Sequence, residues 1–257
     1  MEDTCFVGLN VNSRPPHFTV VGLDAKLNTL FDFTGNWEDI SSRLDEYQQI
    51  ILALNSPVSP NTDFLRHSQK KKHKPGKWPD VRCIEYELAE YGAPIYHTPK
   101  KKSNLLASQQ YGSKLVENLK SVGFIDLESD GEKRLIEVPA ETAFWSIDRK
   151  PLFEEFSFIG RIQRQLLLLE LGFKLPDPMD FFEELTRFKL LTGKAPLDMV
   201  FDVSRLNACI NAFTALKIKK DPSRVAKLGY PQEGYLYLPF ILPDWEEPES
   251  SIQESLF

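Results

Sequence analysis

Cysteine and histidine are scarce in this chain. Its 257 residues hold three cysteines (Cys5, Cys83 and Cys209) and four histidines. The cysteines form no CxxC pair, and no histidine stands at ligand spacing from one, so a zinc site is not expected. Long apolar runs are missing as well. The densest, Leu166 to Leu169, is followed at once by Glu170, far short of the ~18 apolar residues that a membrane-spanning helix needs. The opening MEDTCFVGLN carries Glu2 and Asp3 where a secretory leader needs positive charge, and Pro15 and Pro16 follow soon after. These absences predict a reduced, cytoplasmic protein with no membrane segment. What remains is ordinary globular composition, 42% hydrophobic and 26% charged. The length suits one large domain or two small ones and can bury a sizeable core.

Charge is unevenly spread. The net charge is -6, yet residues 66–102 hold ten Lys/Arg against four Asp/Glu, a local +6 that leaves -12 on the rest. Three of the four histidines, His67, His73 and His97, also lie in this segment. Its clusters are QKKKHKPGK (69–77) and PKKK (99–102). They read either as a solvated loop or as a patch that contacts phosphates through Lys70, Lys71, Lys72, Lys74, Lys100, Lys101 and Lys102, a contact that is sequence-independent and salt-sensitive. On the second reading the partner is nucleic acid. The end of the chain, with Asp244, Glu246, Glu247, Glu249 and Glu254 and no Lys or Arg, reads as an acidic mobile tail over 244–257.

The order of elements predicts a single α/β domain over residues 1–243. Residues 4–11 form a nearly continuous apolar run, the pattern of a central strand covered on both faces. Runs at 18–23 and 27–33 follow across short polar breaks, which suits antiparallel hairpins. Asn36 opens a helix with Asp39 three residues on, and Trp37, Ile40, Leu44 and Tyr47 repeat at helical spacing. Residues 50–54 then form a strand placed parallel by the crossover. A long loop is expected over 58–81. Helices follow at 83–91, 105–122, 158–171, 180–191 and 201–218, with a strand at 134–138 and a last strand or extended tail at 234–238. Three antiparallel strands, a helix, parallel strands and a closing helical layer make a ribonuclease H-like mixed sheet.

In open α/β sheets, ligands sit at the carboxyl ends of strands. Asn10, Asn55 and Glu137 stand near such ends. The 201–218 helix is apolar nearly all round, yet Ser204, Asn207, Asn211 and Thr214 form one polar stripe on it. Buried polar groups need partners, so the stripe faces either a polar cavity or backbone groups of neighbouring loops. Arg161 and Arg164, one turn apart, read as structural ion pairs; Arg82 is left as a phosphate-binding candidate. Phe144 and Trp145 read as core, and Gly160 and Gly234 as turn residues.

Ordered fragments along the chain resemble a known family. They are VGLN (7–10), LALNSP (52–57), RCIEYEL (82–88), YGAPIYHTP (91–99), RLIEVPAETAFW (134–145), GRIQRQLLLL (160–169), NACINAFTAL (207–216) and LGYPQEGYLYLP (228–239). Over roughly residues 5–240 the chain is similar to the predicted ribonuclease H-like nucleases catalogued as domain of unknown function 429. The resemblance implies a divalent-metal cluster with an Asp in the first-strand motif, an Asp before the Ser-Pro, a Glu in the EV motif and an Asp opening the late helix. Here those four catalytic positions hold Asn10, Asn55, Glu137 and Asn207.

Three of the four implied carboxylates are therefore amides. Mg²⁺ or Mn²⁺ needs hard anionic oxygen ligands, and three neutral amides remove three negative charges from its site. Asp and Asn have nearly the same shape, so the fold can survive the change. The expectation is a degenerate metal site, no resident cofactor, and action through nucleic acid or a partner. Two alternatives stay open. One is an active nuclease using Mg²⁺ or Mn²⁺ at Glu137 with Asp24, Glu141, Asp198 or Asp202; the other is a scaffold whose basic loop is only an insertion.

Overall fold

A computed structural model describes residues 4–65, 79–150 and 152–243. Its first strand, β1 (Thr4–Val11), is buried at every residue. Alternation along it sets the layers. Cys5, Val7, Leu9 and Val11 face one side, together with Ile40, Leu44, Leu115 and Leu119. Phe6 faces the other, with Ile51, Ala53, Ile136, Leu206 and Ile210. A strand covered on both faces must be apolar on both, which explains the uninterrupted run in the sequence.

Strands β2 (Phe18–Leu23) and β3 (Thr29–Gly35) continue from β1 as antiparallel neighbours. Helix α1 (Trp37–Leu44) crosses over to β4 (Gln49–Asn55), which lies parallel to β1. Asp39 accepts the Asn36 backbone N–H at 2.9 Å at the start of α1. Beyond β4 the sheet runs through β6 (Lys133–Glu137) to β8 (Gly234–Leu238) and β7 (Ala226–Tyr230), giving the order β3-β2-β1-β4-β6-β8-β7. The short β5 (Ile125–Asp126) pairs with the early part of β6, and β8 pairs with its end. The protein is thus α/β, with a mixed antiparallel and parallel sheet flanked by helices.

The described helices after α1 are α2 (Cys83–Glu90), α3 (Ala107–Ser121), α4 (Ala140–Asp148), α5 (Phe158–Glu170), α6 (Asp180–Glu184), α7 (Arg187–Leu191) and α8 (Val203–Lys220). α1 and α3 cover one face of the sheet; α4, α5 and α8 cover the other. α8 crosses β1 at Gly8, where a Cβ would stand 1.9 Å from the Ala208 carbonyl oxygen and 2.3 Å from the Ala212 nitrogen. That contact places residues 204–211 over the end of β1.

Several boundaries differ from expectation for local reasons. The third strand starts at Thr29, not residue 27, because the Asp24 carboxylate accepts the N–H groups of Lys26 and Asn28 and holds Leu27 at φ 63° in a turn. The helix expected over 180–191 is two short ones, since Leu185 is extended and the Thr186 hydroxyl caps α7 by accepting from the Lys189 N–H at 3.1 Å. α4, β5 and β7 were not foreseen. Gly160 lies inside α5, where a Cβ would meet the Glu154 carbonyl oxygen at 2.0 Å, so it serves close packing and not a turn; Gly234, at φ 78°, does serve one. Phe144 is core, and Trp145 is partly buried against that core. Much of the 58–81 loop and the whole 244–257 tail lie outside the described residues. Among the described residues, no helix is long and apolar enough to cross a membrane.

Candidate functional site

Asn10 and Asn55 are register partners on adjacent parallel strands, so both side chains leave the same face at the carboxyl ends of β1 and β4. α8 delivers Asn207 onto that face, and the three amides close on one another. Asn55 Nδ2 donates to Asn10 Oδ1 at 2.8 Å, and Asn207 Nδ2 donates to the same oxygen at 3.4 Å. Asn10 Nδ2 donates onward to Asn12 Oδ1 at 2.9 Å, an oxygen that also accepts from the Ser204 hydroxyl at 2.7 Å. Asn55 Oδ1 accepts the backbone N–H of Ala140 at 3.1 Å, tying the site to the start of α4.

The polar stripe on α8 therefore serves the ends of the central strands. Ser204 and Asn207 bind the β1 end as described, and the Asn211 side chain, with its amide oriented so that the oxygen faces β4, accepts from the Asn55 backbone N–H at 3.0 Å. Thr214 returns its hydroxyl to the Ile210 carbonyl of its own helix at 2.8 Å. Among the described residues, two buried polar atoms at this end of the sheet, Asn207 Oδ1 and Ser56 Oγ, have no hydrogen-bond partner.

Glu137 does not join the amides. It pairs in register with Leu54, which places it on the same face as Leu54 and Leu135, opposite to Asn10 and Asn55. There its carboxylate is taken up by Arg82. Arg82 Nη1 donates to Oε2 at 2.9 Å, and Nη2 donates to Oε1. The Tyr96 hydroxyl donates to Oε1 at 2.7 Å and the Val58 N–H to Oε2 at 2.8 Å. Two donors on each oxygen use the carboxylate's full accepting capacity. Arg82 is 1% exposed and also bonds Glu85 through Nε at 2.8 Å. Glu85 in turn accepts the Thr98 N–H at 2.8 Å and the Thr98 hydroxyl. Burial works against the Arg82 charge, but Glu137 and Glu85 beside it hold its pKa well above the ordinary value. Burial of the Tyr96 hydroxyl, with Glu137 next to it, pushes that phenol well above the ordinary tyrosine range.

The expected four-residue constellation is thus three residues plus one held apart. Arg82, expected to meet phosphate, is enclosed by two carboxylates and has no free donor face toward solvent. The carboxylates considered as substitutes are engaged elsewhere: Asp24 closes a turn, Glu141 pairs with Arg164, and Asp202 caps α8 by accepting the Arg205 N–H at 2.9 Å. Asp198 lies in a short 3-10 turn. Arg164 is fully buried in its ion pair, and Arg161 lies over the Phe158 ring at 5.6 Å. A divalent cation does not fit the donor set at the four positions: three neutral amides bonded to one another, and one carboxylate saturated by a guanidinium, a phenol and a backbone N–H.

Of the basic segment, Lys70, Lys71, Lys72 and Lys74 lie outside the described residues. Lys100 pairs with Asp63 at 2.8 Å, while Lys101 and Lys102 are exposed in the turn before α3. Sequence reasoning passed over Asn12, Glu85, Tyr96 and Thr98 as site residues. Asn12 stood in a stretch read only as a strand break, and the other three lay inside the quoted fragments without a partner to mark them. Comparisons with protein-family models, with curated proteins and with solved structures found no match.

Proposed function

We propose that this chain is a ribonuclease H-like protein whose metal site has lost its charge and which acts by binding nucleic acid through its basic segment. The strand order β3-β2-β1-β4-β6, antiparallel then parallel, supports the fold assignment. The observation that carries the functional reading is the closed amide triad. Asn10 Oδ1 accepts from both Asn55 and Asn207, a bond pattern that three ionised aspartates could not make. Ionised, they would repel one another unless a cation sat between them. The triad keeps the converging geometry and needs no ion.

Binding through the basic segment follows from charge. A local +6 in a chain whose remainder is -12 focuses any polyanion on residues 66–102, since the rest of the surface repels it. Lysine contacts to phosphate carry no base readout, so binding is weak, indifferent to sequence and steeply salt-dependent. The test has two arms. Incubation of DNA and RNA with Mg²⁺ or Mn²⁺ gives no cleavage above blank. Filter binding gives retention at low salt that falls by orders of magnitude over a few-fold rise in salt, and that weakens when Lys70, Lys71 and Lys72 are changed to Ala. Robust Mg²⁺-dependent turnover that disappears in Glu137→Gln contradicts the loss of the metal site. Absence of binding at low salt contradicts the binding role.

A further inference from the structure

On either side of the exposed Lys101 and Lys102 in sequence stand residues that line a shallow hollow of about 420 Å³: Ile95, Tyr96, His97, Pro99 and Leu106 with the polar Asp80, Asn104 and Gln109. We propose that this hollow takes an unpaired base, making single-stranded nucleic acid the preferred ligand; this rests on the polyanion-binding reading above and specifies its substrate. The volume falls within the range of small-molecule sites. The walls offer what a base face needs. Leu106 is 65% exposed, a large apolar side chain with little cover. The His97 ring is exposed. Tyr96 lines the hollow, with its hydroxyl committed to Glu137.

The rim is fixed before any ligand arrives. Gln109 Nε2 donates to the His97 carbonyl at 2.7 Å, and Gln109 Oε1 accepts the Leu106 N–H at 3.0 Å, so one side chain ties both walls to the first turn of α3. Between the lining residues His97 and Pro99, the Thr98 N–H is held by Glu85 at 2.8 Å. Asp80 is the acidic group on the lining, and its Oδ1 already accepts the Lys100 N–H at 2.9 Å. Charge selects the occupant. The exposed Lys101 and Lys102 lie in sequence between the lining residues Pro99 and Asn104, and Leu106 precedes an α3 first turn that contains no acidic residue, so the surroundings favour a phosphate backbone passing alongside. A duplex keeps its bases paired and stacked and can offer only those phosphates. A single strand can turn a base onto the apolar wall, and such contacts tolerate any sequence because every base has a π-face.

The test is fluorescence anisotropy on the full chain with labelled oligo(dA), alone and as its duplex with oligo(dT), at low and moderate salt. The expected result is tighter binding of the single strand, weakened about tenfold by His97→Ala or by Leu106→Ala with the salt slope unchanged and duplex binding unaffected. Changing Lys101 and Lys102 to Ala weakens both forms and lowers the salt slope. Both His97 and Leu106 are exposed, so their variants keep the fold, and a thermal melt verifies it. Steeply salt-dependent binding that is equal for single strand and duplex, and indifferent to His97→Ala and Leu106→Ala, overturns the hollow and leaves the polyanion reading standing. Binding of neither form at low salt overturns both.

Discussion

Asn55 donates where an aspartate would repel. Its Nδ2 stands 2.8 Å from Asn10 Oδ1, so Asn55→Asp sets a carboxylate oxygen against an amide oxygen and breaks the triad. The expected cost is about 1–3 kcal/mol at neutral pH, the penalty for a buried polar group left without its bond. The new carboxyl gains by staying protonated, because the neutral form restores a donor, so its pKa in the folded protein rises. Stability is then present below the unfolded carboxyl's pKa and is lost as pH rises through the folded one. Denaturant melts at acid and neutral pH check this: the deficit relative to the native chain shrinks in acid, and a variant as stable as the native chain at neutral pH contradicts it. Tyr96 gives a second, alkaline signature. Its phenol is pushed upward by burial and by Glu137, so its contribution is complete below about pH 10, the ordinary tyrosine value, and is lost as pH rises above that. Melts of the native chain and of Tyr96→Phe across that range are expected to converge, because Phe lacks the titrating group; parallel curves would falsify the assignment. The three asparagines were legible in the sequence, Asn10 and Asn55 near strand ends and Asn207 on the polar stripe of α8. The partner of Glu137 was not. Arg82 and Glu137 are separated by 55 residues, and nothing local to either marks the other.

At the level of elements, Gly8 decides how α8 meets the sheet. β1 and α8 approach so closely there that a Cβ would lie 1.9 Å from a backbone oxygen of the helix, and backbone cannot swing aside as a side chain can. Gly8→Ala must push α8 off β1, at an expected cost of about 1–3 kcal/mol or more. The same shift lengthens the contact between Asn207 on the helix and Asn10 on the strand. A lowered melting temperature checks it, and an unchanged melt contradicts the close approach. Strands β1, β2 and β4 and helices α1 and α8 were readable because their patterns are long and their ends are marked by polar or capping residues. α4 was hidden because its start, Pro139-Ala140, follows directly on the strand that ends at Glu137, leaving no polar break between them. β5 has two residues, too few for any periodicity, and β7 depends on its hairpin with β8 through Gly229 and Gly234, both at positive φ.

At the scale of the whole molecule, both faces of one sheet are covered by helices, and the carboxyl ends of β1 and β4 carry the neutral side chains of Asn10 and Asn55. Sequence order alone foretold the antiparallel-then-parallel sheet, because crossover and hairpin lengths restrict the topology. It could not foretell on which face Glu137 would lie, since the register of β6 against β4 is set by packing across the sheet and a shift of one residue reverses every side chain. On the function proposed above, the converging geometry of a metal site persists here without its charge. The most direct measurement is calorimetric titration of Mg²⁺ and Mn²⁺ into the native chain and into the variant carrying Asn10→Asp, Asn55→Asp and Asn207→Asp. No saturable binding by the native chain is expected, and a gained, saturable site in the variant, where three converging carboxylates need a cation. Stoichiometric binding by the native chain that disappears in Glu137→Gln would contradict it.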